Sequence, residues 1–154
     1  MQTSQQIRRA VTDAQPGPSG LAFKFDSWTI VLGIFAFSNL ANGLWMLANP
    51  GHWYENLPAS VPDFGPLNEH FVRDIGCAFT LLGIGLAVAA VVPRWRVAAV
   101  GATAAFYGLH ALVHVVDTLR GLVGPEHWTI DLPGVYLPAL ILFALTWMLT
   151  RQKS

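Results

Sequence analysis

Four long apolar runs, Trp28–Ala48, Ile75–Val92, Val97–Val116 and Leu132–Leu149, alternate with polar or proline-rich segments along the chain. Each has roughly the 17–25 residues that a membrane-spanning helix needs. The pattern predicts an all-α integral membrane protein, a bundle of four transmembrane helices over about 28–48, 70–92, 96–117 and 132–149, within a domain of 28–150. An outer loop at 49–69 joins the first two helices. The polar segment 1–27, with QPGPSG at 15–20, is predicted to be a disordered cytoplasmic tail, and 151–154 a second short one. The first apolar run is too long for the core of a signal peptide and has no small-residue cleavage pattern after it, so it reads as a retained helix. Arg8-Arg9 is followed by mostly polar residues before any apolar core, which argues against a twin-arginine export signal.

Composition agrees with this class. At 154 residues the chain is the size of one domain; 53% of it is apolar and 12% charged, against about 25% charged in soluble domains. The formal net charge is zero and the basic residues form no single patch, so nucleic acid is not an expected partner. The expected surroundings are a lipid bilayer and, through Gly- and Ala-rich helix faces, a second copy or another membrane subunit. Cys77 stands alone, which excludes an intramolecular disulfide and any CxxC chemistry; it reads as a small packing residue.

Charge also orients the bundle. Seven of the nine basic residues (Arg8, Arg9, Lys24, Arg94, Arg96, Arg151 and Lys153) fall on one side, which the positive-inside rule assigns to the cytoplasm. The opposite loops carry Glu55, Asp63, Glu69, Glu126 and Asp131 against Arg120. Trp28, Trp95 and Trp147 then lie at the inner interface and Trp45, Trp53 and Trp128 at the outer one, as aromatic belts require. Both termini are predicted to be cytoplasmic. Small residues at three- and four-residue spacing (Gly76, Gly83 and Ala87 on the second helix; Gly101, Ala105 and Gly108 on the third) predict close packing of those two helices.

Ionisable residues are costly at depth in a bilayer, yet the second predicted helix opens with NEHFVRDIG and the third closes with HALVHVVD. At about 1.5 Å per residue, Asp74 and His110 fall at matching depths about two turns from the outer ends, with His70 and His114 about one turn further out. His70, Asp74, His110, His114 and Asp117 therefore form a candidate metal set: imidazole and carboxylate suit iron, manganese or zinc. Asn39, Asn42, Glu69, Arg73 and Tyr107 are candidates to orient those ligands or line the pocket. A histidine from each helix could alternatively ligate haem, with Gly76 and Gly108 leaving room for the macrocycle. The same His, Asp and Arg residues could relay protons or pass a small solute. In the plainest reading, Arg73 pairs with Asp74 or Asp117 and staples the second helix to the third, making the chain a non-catalytic subunit or scaffold. Beyond these, the fourth helix offers Tyr136, and Glu126 and His127 in the last loop read as solvated, with His127 a spare ligand.

The outer loop NPGHWYENLPASVPDFGPLN (49–68) is long for a connection in so small a protein. It reads as a lid through Trp53, Tyr54 and Glu55, or as an interfacial anchor through the same aromatics, with WYENLP forming a short helical turn. In either case it roofs the polar cluster.

The order of a helix, the NPGHWYENLP loop, NEHFVRDIG opening a second helix and two further helices resembles small four-helix bacterial membrane proteins, similar in general layout to the DoxX-like group. The resemblance implies a bacterial cytoplasmic membrane and membrane redox chemistry. It carries over no individual residue.

Overall fold

The computed structural model describes residues 23–152. Among them the regular elements are α1 (Ser27–Ala48), α2 (Pro50–Asn56), α3 (Glu69–Val91), α4 (Arg96–Leu119), α5 (His127–Ile130) and α6 (Leu137–Arg151), with no strand. Val61–Phe64 and Pro93–Trp95 form 3₁₀ turns, and a wide π turn, Leu132–Tyr136, leads into α6. Four segments are long and apolar enough to cross a membrane: Ser27–Ala48, Glu69–Val91, Pro93–Leu119 and Leu132–Arg151. Most of the tail expected over 1–27 lies outside the described residues, as do Arg8, Arg9 and Lys153.

Local chemistry sets the helix ends. Asp26 caps α1 in a reciprocal box with Thr29, satisfying backbone donors that the first turn leaves unpaired. Asn49 accepts from the His52 N–H and Pro50 fills the first position of α2, where a missing N–H costs nothing. Asn68 caps α3 by accepting from the Phe71 N–H. Gly121, at φ +70°, lets the chain turn away after α4.

The helices associate as two antiparallel pairs, α1 with α3 and α4 with α6, and the pairs meet along a shorter α3–α4 contact. This corrects the expected packing of the small residues. Gly76 and Gly83 of α3 face α1 rather than α4. A Cβ at Gly43 would lie 2.7 Å from the Gly76 carbonyl, and one at Gly83 would lie 2.9 Å from the Leu40 nitrogen. Gly108 of α4 instead receives the Phe143 ring from α6. Where helix backbones approach this closely, dispersion contacts supply the attraction. The space at Gly76 and Gly108 that a macrocycle would have needed is taken by Met46 and Phe143. Leu32, Leu86, Val100 and Leu142 are fully buried. Cys77 corrects another expectation: it is exposed on the outside of α3 rather than packed.

Polar ties hold both ends of the bundle. At the end where α1 begins, Arg96 makes two 2.9 Å bonds to the Asp26 carboxylate and donates to the Ala89 and Ala90 carbonyls. The Lys24 N–H donates to the Val91 carbonyl and the Thr29 hydroxyl to Ala90. The last residues of the expected tail are thus fixed against α3 and α4. Foremost among the causes, the hydrogen-bonded Arg96 guanidinium holds the Asp26 carboxyl down at about 2.

Candidate functional site

At the opposite end, the 49–68 loop covers a cavity of about 850 Å³ between the two helix pairs. Its walls are mostly apolar, with Phe35, Phe79, Phe106 and Val135 among them, and the loop contributes Leu57, Val61, Phe64 and Leu67. Ile34, Phe71, Leu109 and Val113 also line it, yet each is more than half exposed on the outside of its helix. The cavity therefore opens sideways between the helices as well as lying beneath the loop.

The loop is held by specific bonds. Trp53 is buried and its indole N–H donates to the Asn42 side chain at 2.8 Å. Tyr54 donates its hydroxyl to the Gly65 carbonyl at 2.8 Å, at a position whose φ of +121° suits only glycine. Glu55 is exposed and has no ion pair among the described residues.

The polar residues expected to converge divide into two groups. His110, His114 and Asp117 on α4 line the cavity together with Asn42 and Tyr107. His70, Asp74, Glu69 and Arg73 do not. The side chains of His70 and Asp74 are 89% and 61% exposed and meet only each other, at 3.5 Å, on the outer surface of α3. Arg73 pairs with Glu69 on its own helix at 3.0 Å, so it does not staple α3 to α4; exposed pairs of this kind contribute little stability. The reason lies in helix phase. Val72, Gly76 and Phe79 take the buried side of α3, which turns the charged positions outward. Among the described residues no group of three or more His, Cys, Asp and Glu could hold a metal ion. Asn39 is fully buried between helices, donating to the Phe35 carbonyl and accepting from the Tyr107 hydroxyl at 3.3 Å; it ties α1 to α4.

The most buried polar feature of this end joins His114, from the expected set, to residues outside it. His127, expected to be solvated, has no exposed surface, and neither has Asp131. Asp131 accepts from His114 Nδ1 at 2.8 Å through one oxygen and meets His127 Nδ1 at 3.4 Å through the other. The far nitrogen of His127 lies 3.2 Å from Asp63 on the 49–68 loop. Phe64 packs edge-on against both rings, with centroids 4.9 Å from His114 and 4.8 Å from His127. His110 stacks on Phe106 and meets the His114 ring edge-on at 4.6 Å. Burial alone would lower the His127 pKa, but the hydrogen-bonded Asp63 and Asp131 carboxylates outweigh it and raise it. The sequence carried one signal for this turn: His127 and Asp131 are four residues apart, on one face of a helical turn.

No protein family, curated protein or solved structure matches this chain. The likeness to the DoxX-like layout therefore rests on the order of elements alone.

Proposed function

We propose that the chain is an integral membrane protein, with both termini in the cytoplasm, that holds a lipophilic small molecule in its outer-half cavity. The observation that carries this reading is the sideways opening of a largely apolar cavity beside His110 and His114. Its volume lies within the roughly 300–1,000 Å³ typical of small-molecule sites, and apolar walls with few polar groups are the usual composition of such sites. With the four long helices in a bilayer, the exposed rim residues Ile34, Leu109 and Val113 face hydrocarbon, so an apolar ligand enters from the lipid. Its polar group then meets the two imidazoles, Asn42 and Asp117. The distribution of lysine and arginine and of the tryptophans supports the orientation.

Native mass spectrometry of the protein ejected directly from its membrane tests the reading. A stoichiometric lipophile should accompany the wild type and Trp147→Phe, and should be lost from Val113→Trp, which fills the cavity mouth. Ligand-free spectra for the wild type would overturn it. Reporter fusions that place the 49–68 loop in the cytoplasm would overturn the orientation.

A further inference from the structure

Four titratable side chains run in single file from the loop surface to the cavity. Asp63 is half exposed; His127 and Asp131 are fully buried; His114 lines the cavity. The successive contacts measure 3.2, 3.4 and 2.8 Å. Three separate segments supply them: the 3₁₀ turn, the turn 127–131 and α4. The alignment is therefore not a by-product of one helix's periodicity. A simple staple would need one carboxylate for one histidine. Here His127 lies between two carboxylates and Asp131 between two imidazoles, so acid and base alternate along the file. With Nδ1 of His114 engaged by Asp131, its Nε2 has no protein partner among the described residues and is not enclosed. That leaves one imidazole nitrogen free at the cavity end. Phe64 packs against both rings of the file.

We infer that Asp63, His127, Asp131 and His114 form a proton path between the outer solution and the cavity, and, resting on the reading of a bound lipophile, that this ligand carries an exchangeable proton, as a phenol does. The path balances without a further reactant. It starts with His127 doubly protonated, Asp131 ionised and His114 neutral with its proton on Nδ1. A ligand O–H gives its proton to His114 Nε2, and the Nδ1 proton passes to Asp131. His127 releases its Nε2 proton through Asp63 to water. One proton leaves the ligand and one reaches the solvent; His114 keeps one proton, Asp131 gains one and His127 loses one. The reverse order carries a proton inward. The titratable groups around His127 are Asp63 from the loop and Asp131 from its own turn, with His114 and His110 beyond them on α4 and Tyr136 at the start of the last span.

The test uses the full chain in lipid nanodiscs and a long-chain alkyl nitrophenol, whose colour reports its ionisation, with empty nanodiscs as the blank. After a step from pH 6 to pH 8, the bound phenol should ionise at least tenfold more slowly in Asp63→Asn and His127→Gln than in the wild type. Probe affinity should stay within twofold, and His52→Gln should behave as the wild type. Unchanged rates with the probe bound would overturn the path. Absence of probe binding to the wild type counts against the lipophile reading instead. The path is then read without ligand, from proton exchange at the His114 ring by ¹⁵N NMR of histidine-labelled protein. Tenfold slower exchange in Asp63→Asn sustains it, and equal exchange overturns it. Asp63→Asn keeps the size of a side chain that is half exposed, and circular dichroism of the variant checks that the fold is retained.

Discussion

Replacing Asp131 by asparagine puts the most weight on the buried file. The change keeps shape and removes charge, and it turns one of two accepting oxygens into an NH₂ group that can only donate. Asp131 has no exposed surface, so water cannot substitute for what is lost. The 2.8 Å bond from His114 is well formed, and hydrogen bonds to charged groups contribute about 1.5–3 kcal/mol. The 3.4 Å contact with His127 is long and adds little as a hydrogen bond. It does, however, leave a buried imidazolium with Asp63 as its remaining carboxylate, and breaking a buried pair costs about 3–5 kcal/mol. With one partner retained, Asp131→Asn should lower the unfolding free energy by about 3 kcal/mol. Reversible SDS unfolding in mixed micelles, followed by circular dichroism, measures this directly. Asp74→Asn is the control: its partner His70 is exposed, and the change should stay within about 0.5 kcal/mol. A loss below about 0.5 kcal/mol at Asp131, or an equal loss at Asp74, would refute the reasoning.

The raised His127 pKa contributes stability that is fully present below the unfolded value of about 6.5 and is lost as pH rises through the folded value. Protection of 57–66 from hydrogen exchange, corrected for intrinsic rate, should therefore fall above neutral pH in the wild type and change less in Asp63→Asn. Asp26 works in the opposite sense: its carboxyl is held at about 2, so its contribution is present above about 3.9 and is lost as pH falls toward 2. The SDS midpoint should drop across that window in the wild type and stay flat in Asp26→Asn. Gly43→Ala places a methyl group 2.5 Å from the Thr80 hydroxyl and 2.7 Å from the α3 backbone, and should cost about 1–3 kcal/mol by overpacking. Gly33→Ala meets nothing within 4 Å and should cost nothing measurable in the same unfolding assay.

The four long helices were legible because each is an uninterrupted apolar run with few charges. Which helix pairs with which was not. Gly76 and Gly83 mark a close approach, but spacing on one helix does not name the neighbour, and the neighbour proved to be α1. For the site, helix spacing suggested a common level but carried no direction. His110 and His114 were expected at the level of Asp74 and His70, yet the buried side of α3 belongs to Val72, Gly76 and Phe79. His127 was read only as a spare ligand and Asp131 only as a loop charge because they sit in a polar loop, where solvation is the usual expectation. Their burial comes from the 3₁₀ turn that brings Asp63 and Phe64 across from another loop, a juxtaposition that local sequence does not carry.

The pairing of α1 with α3 and α4 with α6 also sets an order for biogenesis. Each pair is a hairpin whose contacts span a short stretch of chain, so each can close soon after its second helix is made, with little loop entropy lost. Few ties need the complete protein: Asp26 with Arg96, Asn39 with Tyr107, and Asp63 with His127 all join the first hairpin to residues made later. The cavity lies on that seam. It comes into being with the last docking step, when two hairpins already formed are clasped together.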